Sequence, residues 1–246
     1  MLKNSDQLLP LSKSKKYLVI NGDNISRQAG GWSLDWQGYS WEEMFHPAGE
    51  TILSGIKSLV KPEGGQVFTS YNFAMQNDVS AAIIVLSERF YAEGNGDIEP
   101  WLGTSFAQQP LSKGANALEK LRTKQPDLPI VVVYLGGRPL WMNPQINQAT
   151  SFVVAWLPGT EGGGVADGLF GESPINGRLS VNWPAYDCTG SPSEASNALF
   201  PVGYGLTFAD TLQISDNLPN KPATTWGTLN FSPGCFISNN IFSPFD

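Results

Sequence analysis

Four carboxylates crowd one short stretch, SERFYAEGNGDIE: Glu88, Glu93, Asp97 and Glu99. A carboxyl group half screened from water keeps its proton to higher pH and can serve as a general acid. Phe90 and Tyr91 are close enough in sequence to screen Glu93. The same residues also read as a solvated acidic loop. A second stretch, GGWSLDWQGYSW, sets Trp32, Trp36 and Trp41 among glycines and polar residues. Indole faces stack on the apolar C–H face of a sugar and supply large contact area with few rotamers to freeze. Trp32 and Trp36 flank Ser-Leu-Asp, and Gln37 follows as a candidate ligand for a hydroxyl. The alternative is that both indoles anchor an irregular loop.

Other chemistries lack their residues. GTEGGG resembles a phosphate-binding loop only superficially: the lysine and hydroxyl are missing, and Val165 stands where the lysine would. Close backbone packing before a helix accounts better for those glycines. The chain has one histidine, His46, so a Ser-His-Asp device or a histidine metal site would rest on it alone. Cys188 and Cys235 form no C-x-x-C pair, and either a disulfide or two buried thiols fits them. We therefore expect no metal and no cofactor. A net charge of −7 gives no reason to bind nucleic acid. No apolar run reaches the roughly 18 residues of a membrane span. Charged residues make up only 15% of the chain, and Gly, Asn, Gln, Ser and Thr fill its polar surface, a balance that suits a periplasmic or secreted protein. The opening residues are too polar for a signal-peptide core, so an export signal would be removed or lie upstream.

The elements that must position these residues alternate. YLVINGDN, AAIIVLSE, PIVVVYLGGRP and SFVVAWLPGTEGGG are continuous apolar runs that end in polar or glycine-rich exits. Such runs read as strands buried on both faces. TILSGIKSLV, GANALEKLRTKQ and GVADGLFG read as helices, and NGRLSVNWP as a further strand ended by Pro184. The pattern predicts an α/β fold, a three-layer α/β/α sandwich around a mostly parallel sheet. In such sheets ligands sit outside the carboxyl ends of the strands, so the tryptophan and glutamate loops should gather on one edge. After about residue 208 the pattern breaks. Residues 209–246 read as an irregular tail laid over the surface, or as the start of a further module.

The order of these loops resembles the family 3 glycoside hydrolases, in particular their exo-acting β-glucanase and β-glucosidase branch. LKNSDQLLPL looks like the entry to that family's second domain, and ISRQAGGWSLDWQG is similar to its tryptophan segment. SERFYAEGNGD resembles its GE-x-P-Y-A-E-x-x-G-D motif. GGRPL, AWLPGTEGGGVADGLFG, GRLSVNWP and LFPVGYGLTF follow in family order. The resemblance covers residues 1–208. It implies the C-terminal sandwich domain of a retaining enzyme that cleaves terminal β-glucosyl units from β-glucans or oligosaccharides. By the motif, Glu93 is the acid/base, and Trp32, Trp36, Gln37 and Tyr91 line the sugar cleft. The aspartate nucleophile would come from an N-terminal barrel domain that this chain does not contain. Phe90 replaces the motif's proline and Ser87 its first glycine. A non-catalytic carbohydrate-binding module that keeps the tryptophan wall is the alternative.

Overall fold

A computed structural model describes residues 1–45, 48–97, 106, 114–186 and 198–220. His46, Glu99, Cys188 and Cys235 lie outside the described residues. Six strands form the main sheet: β1 (Lys3–Asn4), β2 (Lys16–Ile20), β3 (Gln66–Phe68), β4 (Ala81–Ser87), β5 (Ile130–Leu135) and β6 (Ser151–Trp156). Their order is β1-β6-β5-β4-β2-β3, with every pair parallel except β1 on β6.

The four apolar runs are the four central strands, and each face of the sheet takes alternate residues because side chains alternate along a strand. Val19, Ile83, Val85, Val131, Val133 and Val153 face one way and pack on α2 (Ile52–Val60) and α6 (Gly162–Phe170). Leu18, Ala82, Ile84, Leu86, Val132, Tyr134 and Phe152 face the other way. They meet α3 (Tyr71–Met75), α4 (Ala115–Lys124) and α5 (Asn143–Gln148). The fold is therefore the expected three-layer sandwich. All seven residues of β4 are buried, which is why it shows no polar alternation.

Local signals set the helix ends. Asn24 caps α1 (Ile25–Ala29), its side chain accepting from the Arg27 N–H at 2.8 Å. Thr51 and Ser54 form a reciprocal capping box at the start of α2. Gly162 and Gly163 of GTEGGG let α6 lie close against the start of α2: a Cβ on Gly55 would stand 2.7 Å from the Gly163 Cα, and one on Gly162 2.4 Å from the Ile52 N. These two serve close packing, as the missing phosphate-loop lysine suggested, whereas a Cβ on Gly159 or Gly164 would meet nothing.

Two edge strands, β1 and β3, have no apolar signature of their own. NGRLSVNWP is not a strand of the main sheet. Only its end, β7 (Trp183–Pro184), pairs, in a separate two-stranded sheet with β8 (Ala198–Phe200). Trp183 is fully buried and sits edge-on to Tyr134 and Phe152, at ring-centroid distances of 5.8 and 6.1 Å. Residues 209–220 carry no helix or strand but lie against α5. Asn147 exchanges two hydrogen bonds with the Leu218 backbone, at 2.8 and 2.9 Å, and the buried Lys3 ammonium pairs with Asp216. Among the described residues no helix is long and apolar enough to cross a membrane.

Candidate active site

The exits of β2, β4 and β5 meet at one edge of the sheet. From β2 the chain passes through α1 to Gly30 and then into the tryptophan loop. Trp32 and Leu34 take left-handed backbone conformations, φ 58° and 62°. The Trp32 N–H donates to the Trp36 carbonyl at 3.0 Å, which closes the loop on itself. The two indoles stand 6.5 Å apart, tilted by 56°. Trp32 is 70% exposed and Trp36 49%, so neither is a core anchor. Leu34, Trp41 and Met44 are also exposed on this loop.

The loop is fixed to its neighbour from β4 at two points. A Cβ on Gly31 would lie 1.9 Å from the Tyr91 carbonyl oxygen, so only glycine admits this approach. The Gln37 Oε1 accepts from the Ala92 N–H at 2.9 Å. Gln37 thus ties the tryptophan loop to the residue before Glu93. Its Nε2 is buried and has no hydrogen-bond partner among the described residues.

Glu93 opens a single 3-10 turn, Glu93–Gly96, at φ 48°. A left-handed glutamate is uncommon and marks a constrained turn. Its side chain is exposed, and so is that of Asp97. Phe90 and Tyr91 do not cover Glu93, contrary to the expectation that they would screen it. The Phe90 ring packs beneath the Arg27 guanidinium, 5.9 Å away, and Tyr91 packs beneath that of Arg138 at 4.5 Å. The turn carries Glu93 outward while both rings are held within the domain.

Beneath the turn lies a cluster that sequence reading did not assign to the site. Glu88 is buried at the end of β4. The Arg138 Nε donates to its Oε1 at 3.0 Å, and the Arg138 Nη2 lies 3.0 Å from the same oxygen. The Tyr134 hydroxyl reaches the Glu88 Oε2 at 3.2 Å and the Arg138 carbonyl at 2.9 Å. The Arg138 Nη1 donates to the Gly96 carbonyl, in the last position of the Glu93 turn. Burial pushes the Glu88 carboxyl above the usual glutamate range, against the pull of Arg138. Burial, followed by the charge of Glu88, lifts Tyr91 to about 12, and burial takes Tyr134 well above its ordinary value. The signal was present in the sequence: one acid and one base, each just past an all-apolar strand. Their pairing needs β4 and β5 to be neighbours, which the strand order supplies.

Between the two loops is a cavity of about 30 Å³, room for about one water. A larger groove of about 510 Å³ lies elsewhere, between β6, α6 and the chain around Pro174, and none of the tryptophan-loop residues or Glu93 lines it. Among the described residues the edge presents a wall, with the outward carboxyls of Glu93 and Asp97 and the exposed indoles of Trp32, Trp36 and Trp41.

The family model for the glycosyl hydrolase family 3 C-terminal domain matches residues 1–208. The lysosomal beta glucosidase of Dictyostelium discoideum is 26% identical over 85% of this chain, which spans 28% of that protein. The periplasmic beta-glucosidase of Salmonella typhimurium is 25% identical over 90% of this chain, which spans 35% of it. The chain therefore covers about a third of the length of these relatives. Among solved structures, the exo-1,3/1,4-beta-glucanase of a Pseudoalteromonas species superposes with a TM-score of 0.79 and 39% identity, over 90% of this chain and 28% of that one. A beta-glucosidase mutant from Listeria innocua in complex with laminaribiose shares the fold, with a TM-score of 0.63 and 20% identity, over 85% of this chain and 32% of its own.

Proposed function

The chain belongs to the glycosyl hydrolase family 3 C-terminal domain family, and from this we propose that it is the acid/base side of a retaining β-glucosidase or exo-β-glucanase. Its substrate is the terminal β-glucosyl unit of a β-glucan or gluco-oligosaccharide. An N-terminal barrel domain supplies the aspartate nucleophile and the other wall of the cleft. Glu93 protonates the leaving oxygen as the aspartate attacks the anomeric carbon. It then takes a proton from water as the glycosyl-enzyme bond is broken. Trp32 and Trp36 stack on sugar, and Gln37 and Tyr91 border the same cleft. No cofactor enters the reaction. The periplasmic and lysosomal relatives favour a place outside the cytoplasm, periplasmic or secreted.

The observation that carries this reading is the shared edge. An exposed glutamate sits in a constrained turn, and that turn is bonded through Gln37 and Ala92 to the loop bearing two exposed indoles. A retaining mechanism needs its two carboxyls about 5–5.5 Å apart, which an outward Glu93 permits once a second domain faces it.

The test is Glu93→Gln in a fusion of this chain to the barrel of the Pseudoalteromonas exo-glucanase. Turnover of a β-glucoside with a poor leaving group should fall by about 10²–10⁴-fold. A dinitrophenyl β-glucoside, which needs no proton to leave, should still form the glycosyl-enzyme. Azide, which needs no base, should restore its turnover. Equal activity of the variant on both substrates would refute the assignment.

A further inference from the structure

We propose that Arg138 is the positioning residue of the Glu93 turn, seated on the buried Glu88 and flanked by Tyr91. The inference rests on the reading of Glu93 as the acid/base. One guanidinium makes three different contacts. Its Nε and Nη2 hold the Glu88 carboxylate, its Nη1 holds the Gly96 carbonyl, and its face covers the Tyr91 ring. A planar fork can do this and a lysine ammonium cannot. Glu88 is itself held by the Tyr134 hydroxyl, and Tyr134 is fully buried in the core. The chain of contacts thus runs from the core through Tyr134, Glu88 and Arg138 to the last residue of the turn that begins with Glu93.

The turn needs such a brace. It is a single 3-10 turn with an unfavourable left-handed residue at its start and no side-chain cap. Its internal backbone bond, from the Asp97 N–H to the Gly94 carbonyl, is 3.1 Å long. Gly96 leaves room for the Tyr91 ring, since a Cβ there would stand 2.2 Å from the Tyr91 Cδ2. Arg138 therefore closes the turn from below while Tyr91 fills the space beside it. Arg138 bonds to the Glu88 carboxylate and the Gly96 carbonyl, so it reaches Glu93 through the turn.

Two variants of the isolated chain test the brace, followed by hydrogen exchange. Arg138→Lys keeps a positive charge for Glu88 and so keeps the fold, but gives up the Gly96 contact. The Asp97 amide should exchange about tenfold faster or more, the factor for losing one charge-assisted hydrogen bond. The amides of β4 and β5 should stay protected. Arg138→Ala should loosen the turn further, and millimolar guanidinium should restore its protection. In the barrel fusion, Arg138→Lys should lower kcat on a poor leaving group by about a hundredfold, the cost of roughly 1 Å of misplacement. KM should change little, and dinitrophenyl β-glucoside should form the glycosyl-enzyme as before. Unchanged exchange at Asp97 in Arg138→Lys overturns the proposal whatever Glu93 does. Faster exchange together with an active Glu93→Gln fusion leaves the brace standing and removes the acid/base assignment instead.

Discussion

Glu88 and Glu93 lie five positions apart and meet opposite fates. Glu88 follows β4 into the interior and is held by Arg138 and Tyr134, while the left-handed turn throws Glu93 to the surface. Sequence reading singled out Glu93 by the family motif but did not foresee that Glu88 would be the buried one, because burial depends on where the strand stops. It offered Trp32 and Trp36 either as sugar-stacking indoles or as anchors of an irregular loop, because they stand among glycines and polar residues with no apolar period. It missed Arg138 because its partner is 50 residues away. The burial of Glu88 has a pH consequence. Its carboxyl is raised in the folded state, so its contribution to stability is complete below the unfolded glutamate value of about 4.3 and is lost as pH rises through the folded value. Melting temperature measured against pH for the native chain and for Glu88→Gln checks this. The native chain should lose ground relative to the variant as pH rises above about 4.3. A gain instead would mean that the attraction of Arg138 outweighs burial.

The four central strands were legible at the level of elements because each is an unbroken apolar run. The helices α2, α4 and α6 were legible from their period or their glycine stop. The short pieces were not. β1 has two residues and β3 three, too few to show alternation, and α1, α3 and α5 are five or six residues long. NGRLSVNWP has strand composition, yet it contributes mainly two buried apolar side chains, Leu179 and Trp183. Trp183 fills the face of the sheet where Tyr134, Phe152 and Trp156 converge, the last at 6.3 Å. Trp183→Ala should cost about 3–5 kcal/mol, the range for deleting a large buried aromatic. Urea denaturation would read this as a lower midpoint with an unchanged slope. A cost under about 1 kcal/mol would show that the site collapses around the gap.

At the scale of the whole molecule, the exposed indoles and Glu93 share an edge of the sheet. Trp32, Leu34, Trp36, Trp41 and Met44 expose apolar surface on a single loop, beside an outward glutamate. A lone wall buries little of a sugar, and water competes for every hydroxyl. The isolated chain should bind gluco-oligosaccharides only at about millimolar strength, near −4 kcal/mol, and should not turn over an aryl β-glucoside. Calorimetry with and without Trp36→Ala tests the first point, since the variant should remove most of the heat. Micromolar binding by the chain alone would favour a carbohydrate-binding module. Robust hydrolysis abolished by Glu93→Gln would mean that a second carboxylate within this chain serves. At this scale the family was legible from the order of its loops, whereas the departures at Ser87 and Phe90 gave no guide to geometry. Phe90 in fact packs on the Gly38 backbone and under Arg27.

The antiparallel edge has a consequence in time. Lys3 pairs with Phe152, and the Met1 carbonyl accepts from the Leu206 N–H. At about 5–20 residues per second, Phe152 leaves the ribosome roughly 7–30 s after Lys3. Through that interval the parallel core can assemble from β2 to β5, but β1 has no partner. Leu2 and Leu9, both buried in the finished domain, are synthesised before β6. The run of Lys13, Lys15 and Lys16 that follows them places like charges beside this sticky segment, as gatekeeper residues do next to an unavoidable apolar stretch. This edge of the sheet is written before the strand that closes it, and Lys13, Lys15 and Lys16 are the charges beside it until β6 is made.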